Sequence, residues 1–353
     1  MMKNVARISM ILAVSATVVL LAVSCGQKGA GVATQGGQAQ QASSTSHKNE
    51  VYVWACQDNS LPLFVAHDYK GLALAAKDLG VTVEKIGPQN VDLPAFIADI
   101  EAEIAKKPAG MLVVGWDPSE AVAINKAIDA GIPVITDDAD VPNSKRLAFV
   151  GTDWYDLGVE QAKAVAPYLQ GKKGKAVMFG IAAADNTVLA KEGFIATLKT
   201  LAPKIEVVPN VYDTQSNPSV VAATASNLIR STPDLLAIAG FDSNSGPGIA
   251  TAIKEAGDIG KVYGTCVDAE PEQLQGVKDG ALVAAVGQKR EFFTYYGIKL
   301  LYDYNHPKIH FTDNDRALGI TDIPSRISTG FVVATKKNVD ALMKAAEANA
   351  VSK

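Results

Sequence analysis

Carboxylate and amide side chains recur wherever an apolar run of this chain ends. They are Gln57-Asp58-Asn59, Trp116-Asp117, Asp137-Asp138-Ala139-Asp140, Thr152-Asp153-Trp154, Asp185-Asn186, Asp242-Ser243-Asn244, Asp268 and Gln288. Each such side chain presents two polar atoms in one plane, so it can hold adjacent hydroxyls of a polyol. An aromatic face, as from Phe64 or Trp154, covers the C–H side of a ring. That combination is what a neutral sugar site needs. At any single position helix capping is an equal reading, above all for Asp153, Asp185 and Asp242. Repetition across both halves of the chain favours ligand contact.

Other chemistry lacks its marks. There is no G-x-x-x-x-G-K-[ST], G-x-S-x-G or H-E-x-x-H, hence no phosphate cradle, nucleophile elbow or zincin site. His306 and His310 are separated by Pro307 and read as a solvated loop. After Asp138 and Asp140, Val141-Pro142 supplies neither the further acid nor the glycine of a calcium loop. Trp54 reads as core. No catalytic residue, cofactor or metal is expected.

The elements that position these residues alternate regularly. Short β-rich runs at Val51 to Ala55, Val81 to Ile86, Met111 to Gly115, Pro133 to Thr136 and Leu147 to Gly151 are separated by helical patterns. The cycle restarts with strands at Lys175 to Ile181, Ile205 to Val211, Leu235 to Ala239, Val262 to Cys266 and Leu282 to Gly287. Unbroken apolar runs such as Met111-Leu112-Val113-Val114 suit parallel sheets covered on both faces. The fold class is therefore α/β, with two successive doubly wound parallel-sheet lobes. Ligands of such sheets bind beyond the carboxyl ends of the strands, where the polar residues above stand. No Lys/Arg run marks the body, so no nucleic-acid partner is expected. Cys56 and Cys266 read as two buried thiols, with pairing left open.

The amino-terminal segment has its own logic. Lys3 and Arg7 precede an apolar run from Ile8 to Val23, the build of an export signal and short of the ~20 residues that cross a bilayer. From Gly26 to Lys48, all but Lys28, Val32, His47 and Lys48 are Gly, Gln, Ala, Ser or Thr. That composition cannot build a core and reads as a flexible tether.

Two resemblances follow from these residues. Leu21-Ala22-Val23-Ser24-Cys25 is similar to the bacterial lipoprotein signal, which implies that Cys25 becomes the lipidated first residue. From Glu50 onward the chain resembles the periplasmic binding protein type 1 family, sugar-binding class. The resemblance rests on Ala130-Gly131-Ile132-Pro133-Val134-Ile135-Thr136-Asp137-Asp138, Gly151-Thr152-Asp153, Glu192-Gly193-Phe194, Asp268 and Gln288. It implies that Asp138, Asp268 and Gln288 hold sugar hydroxyls and that Thr152 and Asp153 stand at the first crossover between lobes. Ribose-type members carry arginines where this chain has Ala139, Val188 and Ala190, so the usual arginine clamp is missing. The neighbourhood instead resembles the rhamnose and autoinducer receptor branch, with D-x-D at Asp138 and Asp140, acid plus amide at Asp185-Asn186, and D-x-N-x-x-P from Asp242 to Pro247. The lysine which that branch often has near the first strand end is absent from Gln57-Asp58. An excess of carboxylates over cations argues against anionic ligands.

The resulting expectation is a signal peptide over 1–24, a lipid-anchored tether over 25–48, a first lobe of 49–152 plus 289–318, and a second of 153–288 plus 319–353. Crossovers are expected near Thr152, at Gln288-Lys289 and between Ile309 and Ile320. The ligand set is Asp58, Asn59, Phe64, Asp138, Asp140, Trp154, Asp185, Asn186, Asp242, Asp268 and Gln288. The resemblance implies a monomeric, lipid-anchored protein of the cell envelope, periplasmic or extracellular face, that captures a neutral sugar or polyol and delivers it to the permease of an ABC importer. A receptor for a sugar-like autoinducer is the alternative. A repressor would need a DNA-binding segment before Glu50, and an enzyme a nucleophile or cofactor motif; neither is visible.

Overall fold

Runs of Val, Ile, Leu and Met fill the interior strands of two sheets, which are buried along most of their length, while the edge strands are partly exposed. The computed structural model describes residues 47, 49–182 and 184–351. The expected signal segment, Cys25 and all of the expected tether except His47 lie outside the described residues. In chain order the strands are β1 (Val51–Ala55), β2 (Thr82–Ile86), β3 (Gly110–Val114), β4 (Val134–Asp138), β5 (Ala148–Gly151), β6 (Gly174–Gly180), β7 (Ile205–Asp213), β8 (Leu235–Gly240), β9 (Tyr263–Val267), β10 (Leu282–Gln288), β11 (Arg326–Ser328) and β12 (Phe331–Thr335). The helices are α1 (Tyr69–Leu79), α2 (Leu93–Lys106), α3 (Ala121–Asp129), α4 (Trp154–Leu169), α5 (Asp185–Leu201), α6 (Pro218–Ser231), α7 (Ser245–Ala256), α8 (Pro271–Asp279), α9 (Arg290–Asn305) and α10 (Val339–Val351). Among the described residues no helix is long and apolar enough to cross a membrane.

Two six-stranded sheets result, ordered β11-β5-β4-β3-β1-β2 and β12-β10-β9-β8-β6-β7. Every pairing is parallel except β10 with β12. In each sheet the order reverses beside the first strand of the lobe, β1 or β6, which places a crevice beyond the carboxyl ends there. One face of the first sheet packs Phe96, Ile100, Ile124 and Ala127 from α2 and α3. The other packs Leu72, Ile298 and Leu301 from α1 and α9. The second sheet is covered likewise by Leu157, Phe194 and Leu198 on one face and by Ile249, Ile253, Leu274 and Val339 on the other. Each fully buried Leu, Ile or Phe stabilises these layers by roughly 1.5–3 kcal/mol.

The chain passes between sheets three times: from β5 into α4 at Thr152, from β10 into α9 at Gln288-Lys289, and from β11 into β12 at Thr329-Gly330. The third passage lies later than the sequence suggests. β11 pairs with β5, Arg326 to Phe149 and Ser328 to Gly151, so the chain stays with the first sheet through Ser328 and residues 319–328 belong to the first lobe. The cause is a late turn: Thr329 N donates to Gly151 O, and Gly330 takes φ +71°, a conformation open to glycine. Cys56 ends the first strand of one lobe and Cys266 lies in β9 of the other; both are buried, free thiols, so they do not pair.

Helices α4 and α5 lie in close approach through glycine. A Cβ on Gly193 would sit 2.0 Å from Tyr155 O, and one on Gly158 would sit 1.9 Å from Ala190 O. Neither backbone can yield without separating the helices. Gly193→Ala is therefore expected to cost about 1–3 kcal/mol, the usual range for overpacking, read as a lower urea midpoint at unchanged slope. An unchanged midpoint would show that this contact is loose.

Candidate functional site

The cleft is organised around a buried guanidinium. Lys289-Arg290 follows the second crossover directly, so the first residue of α9 enters the first lobe at the carboxyl edge of its sheet. Arg290 Nε lies 2.9 Å from Asp68 Oδ2, Nη2 3.1 Å from Asp68 Oδ1, and Nη1 2.7 Å from Asp138 Oδ1. Asp68 ends a π-helical turn, Phe64–Asp68, that runs into α1. Its backbone carbonyl accepts from Thr294 Oγ1 of α9 at 2.8 Å. Phe64 and Phe293 lie against the guanidinium, their ring centres 4.8 and 5.2 Å from Cζ. A planar fork between two carboxylates is the geometry for which arginine, and not lysine, is suited.

Asp138 has a second partner: Trp116 Nε1 donates to its Oδ2 at 3.0 Å. Trp116 is held in place because the next residue, Asp117, opens a capped turn in which Asp117 accepts from Ser119 N and Glu120 accepts from Asp117 N. Phe64 packs against both Trp54 and Trp116 at 5.5 Å. The second lobe mirrors this arrangement. Asp268 follows β9, is 2 % exposed, and accepts from Ser243 Oγ and from Gln288 Nε2, the latter at 2.9 Å. Gln288 Oε1 in turn accepts from Thr152 Oγ1 at 2.7 Å, so the first two crossovers are joined by one amide.

Asp138 and Asp268 share a backbone peculiarity. Their φ values are +63° and +65°, in the left-handed region that non-glycine residues rarely occupy. Each lobe thus ends a central strand with an aspartate turned out of the sheet. Strain of this sort persists only where the surroundings over-determine it, and it gathers at binding sites.

The carboxylates outnumber the cation. Burial pushes Asp68 up to about 6, with Arg290 pulling the other way. Asp137 is driven well above the usual range by burial and by the charges of Asp68 and Asp138. Burial also raises Asp268 and Asp242, against the hydrogen bonds each accepts. Arg290, although burial opposes its charge, is held cationic by Asp138 and Asp68.

The structure distributes the other expected residues less centrally. Asp140 is turned to Arg146, which it binds through both oxygens, and to Thr136, so it closes the loop after β4. Asp58 accepts from Ser60 N and Oγ in a turn. Asn59 Nδ2 donates to Gly87 O at 2.8 Å, while its buried Oδ1 has no partner among the described residues. Trp154 opens α4 with its indole nitrogen buried and unpartnered. Asp242 accepts from Thr214 Oγ1 and Ser245 N. Asp185 is exposed at the start of α5, and Asn186 accepts from Thr187 N; among the described residues neither shares a hydrogen bond with the Asp138–Arg290 group. Capping holds for Asp153, which accepts from Asp156 N. Trp54 is core as expected, yet donates to Asp137 at 3.3 Å. No arginine stands at positions 139, 188 or 190, and the guanidinium beside Asp138 comes instead from Arg290, far from Ala139 in sequence. Arg290, Asp68 and Trp116 were not in the expected set, although Arg290 lies two residues beyond Gln288.

At the rim a histidine spans the lobes. His67 Nε2 lies 2.9 Å from Glu270 Oε1 in the second lobe, and Nδ1 2.8 Å from Glu291 Oε1 on α9. Burial works to lower its pKa, but the bonds to Glu270 and Glu291 outweigh it and raise it from 6.5 to about 9. A raised basic group contributes stability in full below about 6.5, and that contribution fades as pH rises through about 9. The melting temperature of the parent is therefore expected to fall more steeply between those pH values than that of His67→Gln or Glu270→Gln. Equal slopes in parent and variants would remove this ion pair from the account.

Comparison with known proteins agrees with this architecture. A family model described as periplasmic binding protein domain matches residues 52–306. The D-allose-binding periplasmic protein of Escherichia coli is 26% identical over 244 residues, which cover 66% of this chain and 78% of that one. Among solved structures, a sugar-binding protein of a sugar ABC transporter from Bacillus halodurans is 29% identical with TM-score 0.74, covering 83% of this chain and 99% of its own. An arabinose-binding protein from Geobacillus stearothermophilus is 29% identical with TM-score 0.73, covering 83% and 98%. With a family match over most of its length and both lobes reproduced in these relatives, the chain belongs to the periplasmic binding protein family, whose members bind solutes for transport and are not enzymes.

Proposed function

We propose that this chain captures a neutral sugar or polyol by closing its two lobes and delivers it to the permease of an ABC importer. The observation that carries this reading is the pair of buried aspartates, Asp138 and Asp268, one from each lobe, both in left-handed backbone at the cleft. Between them Gln288 offers an amide, and Trp116, exposed and backed by the buried Phe64, offers an aromatic face. The buried indole nitrogen of Trp154 and Oδ1 of Asn59 lack partners that a ligand hydroxyl would supply. The charge balance supports a neutral ligand. All three nitrogens of Arg290 are engaged by Asp68 and Asp138, so this guanidinium is not free to pair with an anion. Sugar-binding relatives point to the same ligand class. Since one chain owns both halves of the site, it works as a monomer, hinged at Thr152, Gln288-Lys289 and Thr329-Gly330. The likeness of the amino-terminal segment to an export signal ending in Cys25 supports a location outside the cytoplasm on a lipid anchor.

Calorimetric titration with neutral pentoses and hexoses tests the ligand reading. One of them should bind, and Asp138→Asn and Asp268→Asn should each weaken it about ten- to 150-fold, the equivalent of a charge-assisted hydrogen bond. Parent-like affinity in both variants would discard the site. For the anchor, mass spectrometry of the mature amino terminus should find a diacylglyceryl-modified Cys25 in the parent and none in Cys25→Ser; an unmodified parent that begins elsewhere would refute it.

A further inference from the structure

At the opposite end of β1 from the cleft, two imidazoles and a carboxylate converge. His47 Nδ1 lies 2.7 Å from Glu50 Oε1, and His306 Nε2 lies 2.9 Å from Glu50 Oε2. The three ligand atoms all fall within 4.8 Å of one another. They come from two distant segments: His47 and Glu50 lead into β1, and His306 ends α9. Each residue is about a quarter to a third exposed. The expected solvated loop at His306 and His310 is thereby corrected, since His306 is half-buried and only His310 is exposed.

We propose that His47, Glu50 and His306 bind a zinc-class divalent ion. Two neutral imidazoles and one carboxylate form a donor set that borderline ions prefer over calcium or magnesium. Bonds of about 2.0–2.1 Å in tetrahedral arrangement set donor atoms roughly 3.3 Å apart. To reach that value the two hydrogen-bonded spacings widen by about 0.4–0.6 Å, and the two imidazole nitrogens, within 4.8 Å of each other, draw together; His47 lies outside the sheet, where it can adjust. The surrounding groups already orient the ligands as metal sites require. Tyr52 donates to Glu50 Oε2 at 3.0 Å and is itself held by Asn305 Nδ2 at 3.1 Å. The Tyr302 ring lies 4.3 Å from that of His306, centre to centre, and 5.6 Å from that of His47. A cavity of about 300 Å³ lies on the Glu50 side of the trio, with Asn49, Glu50 and Ala109 in its wall, and all three ligand residues are partly exposed, so water reaches them. β1 alone sets this site roughly 16 Å from the cleft, so it is separate from the sugar site. An ion there would clasp the entering chain to the end of α9.

The test uses the untagged full chain, stripped of metal and titrated with Co²⁺ while its visible absorption is followed, then with Zn²⁺ in competition. One equivalent is expected to bind with tetrahedral-type bands. His47→Ala and His306→Ala should each weaken binding at least tenfold, in line with losses at metal sites, while His310→Ala leaves it unchanged. Zn²⁺ should raise the melting temperature of the parent but not of either ligand variant. His47 precedes the first strand, so its removal leaves the fold intact. Absence of saturable binding, parent-like affinity in His47→Ala and His306→Ala, or equal loss in His310→Ala would each overturn the site and leave a hydrogen-bonded network in its place.

Discussion

The cleft depends on one buried ionic contact, Arg290 held between Asp68 and Asp138. A guanidinium removed from water is costly unless its donors are satisfied and its charge is balanced. Here Asp68 engages Nε and Nη2, and Asp138 engages Nη1. Three elements that are distant in sequence, the turn before α1, the end of β4 and the start of α9, are therefore held in register by charge as well as by packing. Losing one partner leaves a buried unpaired charge, for which the cost is about 3–5 kcal/mol. The same contact consumes the Arg290 cation, which supports the proposed preference for ligands that carry hydroxyls and no negative charge.

Around that contact the two lobes repeat one solution. Each ends a central strand with an aspartate in left-handed backbone, and each gives that aspartate neighbours that fix its direction: Trp116 and Arg290 for Asp138, Ser243 and Gln288 for Asp268. Gln288 sits in a crossover and reaches Thr152 in another. In the proposed reading the residues that hold the ligand are thus the residues at which the lobes turn, and binding would be coupled to closure through the same side chains.

Strand and helix order was legible because period and length are local properties; the buried runs of β3 and β4 carried their own signal. Asp138, Asp268 and Gln288 were legible because each stands at the end of such a run. Arg290 was not, since a cation at the first position of a helix gives no local sign that two distant acids enclose it. Asp140 misled for the converse reason: its D-x-D spacing to Asp138 says nothing of Arg146, six residues on, which claims it. The third crossover was misplaced because β11 is only three residues long and has weak periodicity. His306 read as loop because Glu50 and His47, which give it partners, come from the other end of the chain.

A crystal structure of the chain with the tightest-binding neutral sugar tests the central claim most directly. The account places the sugar ring between the lobes, with hydroxyls within hydrogen-bond distance of both Asp138 and Asp268 and one ring face against Trp116. A sugar bound on one lobe alone, or touching neither aspartate, would contradict it.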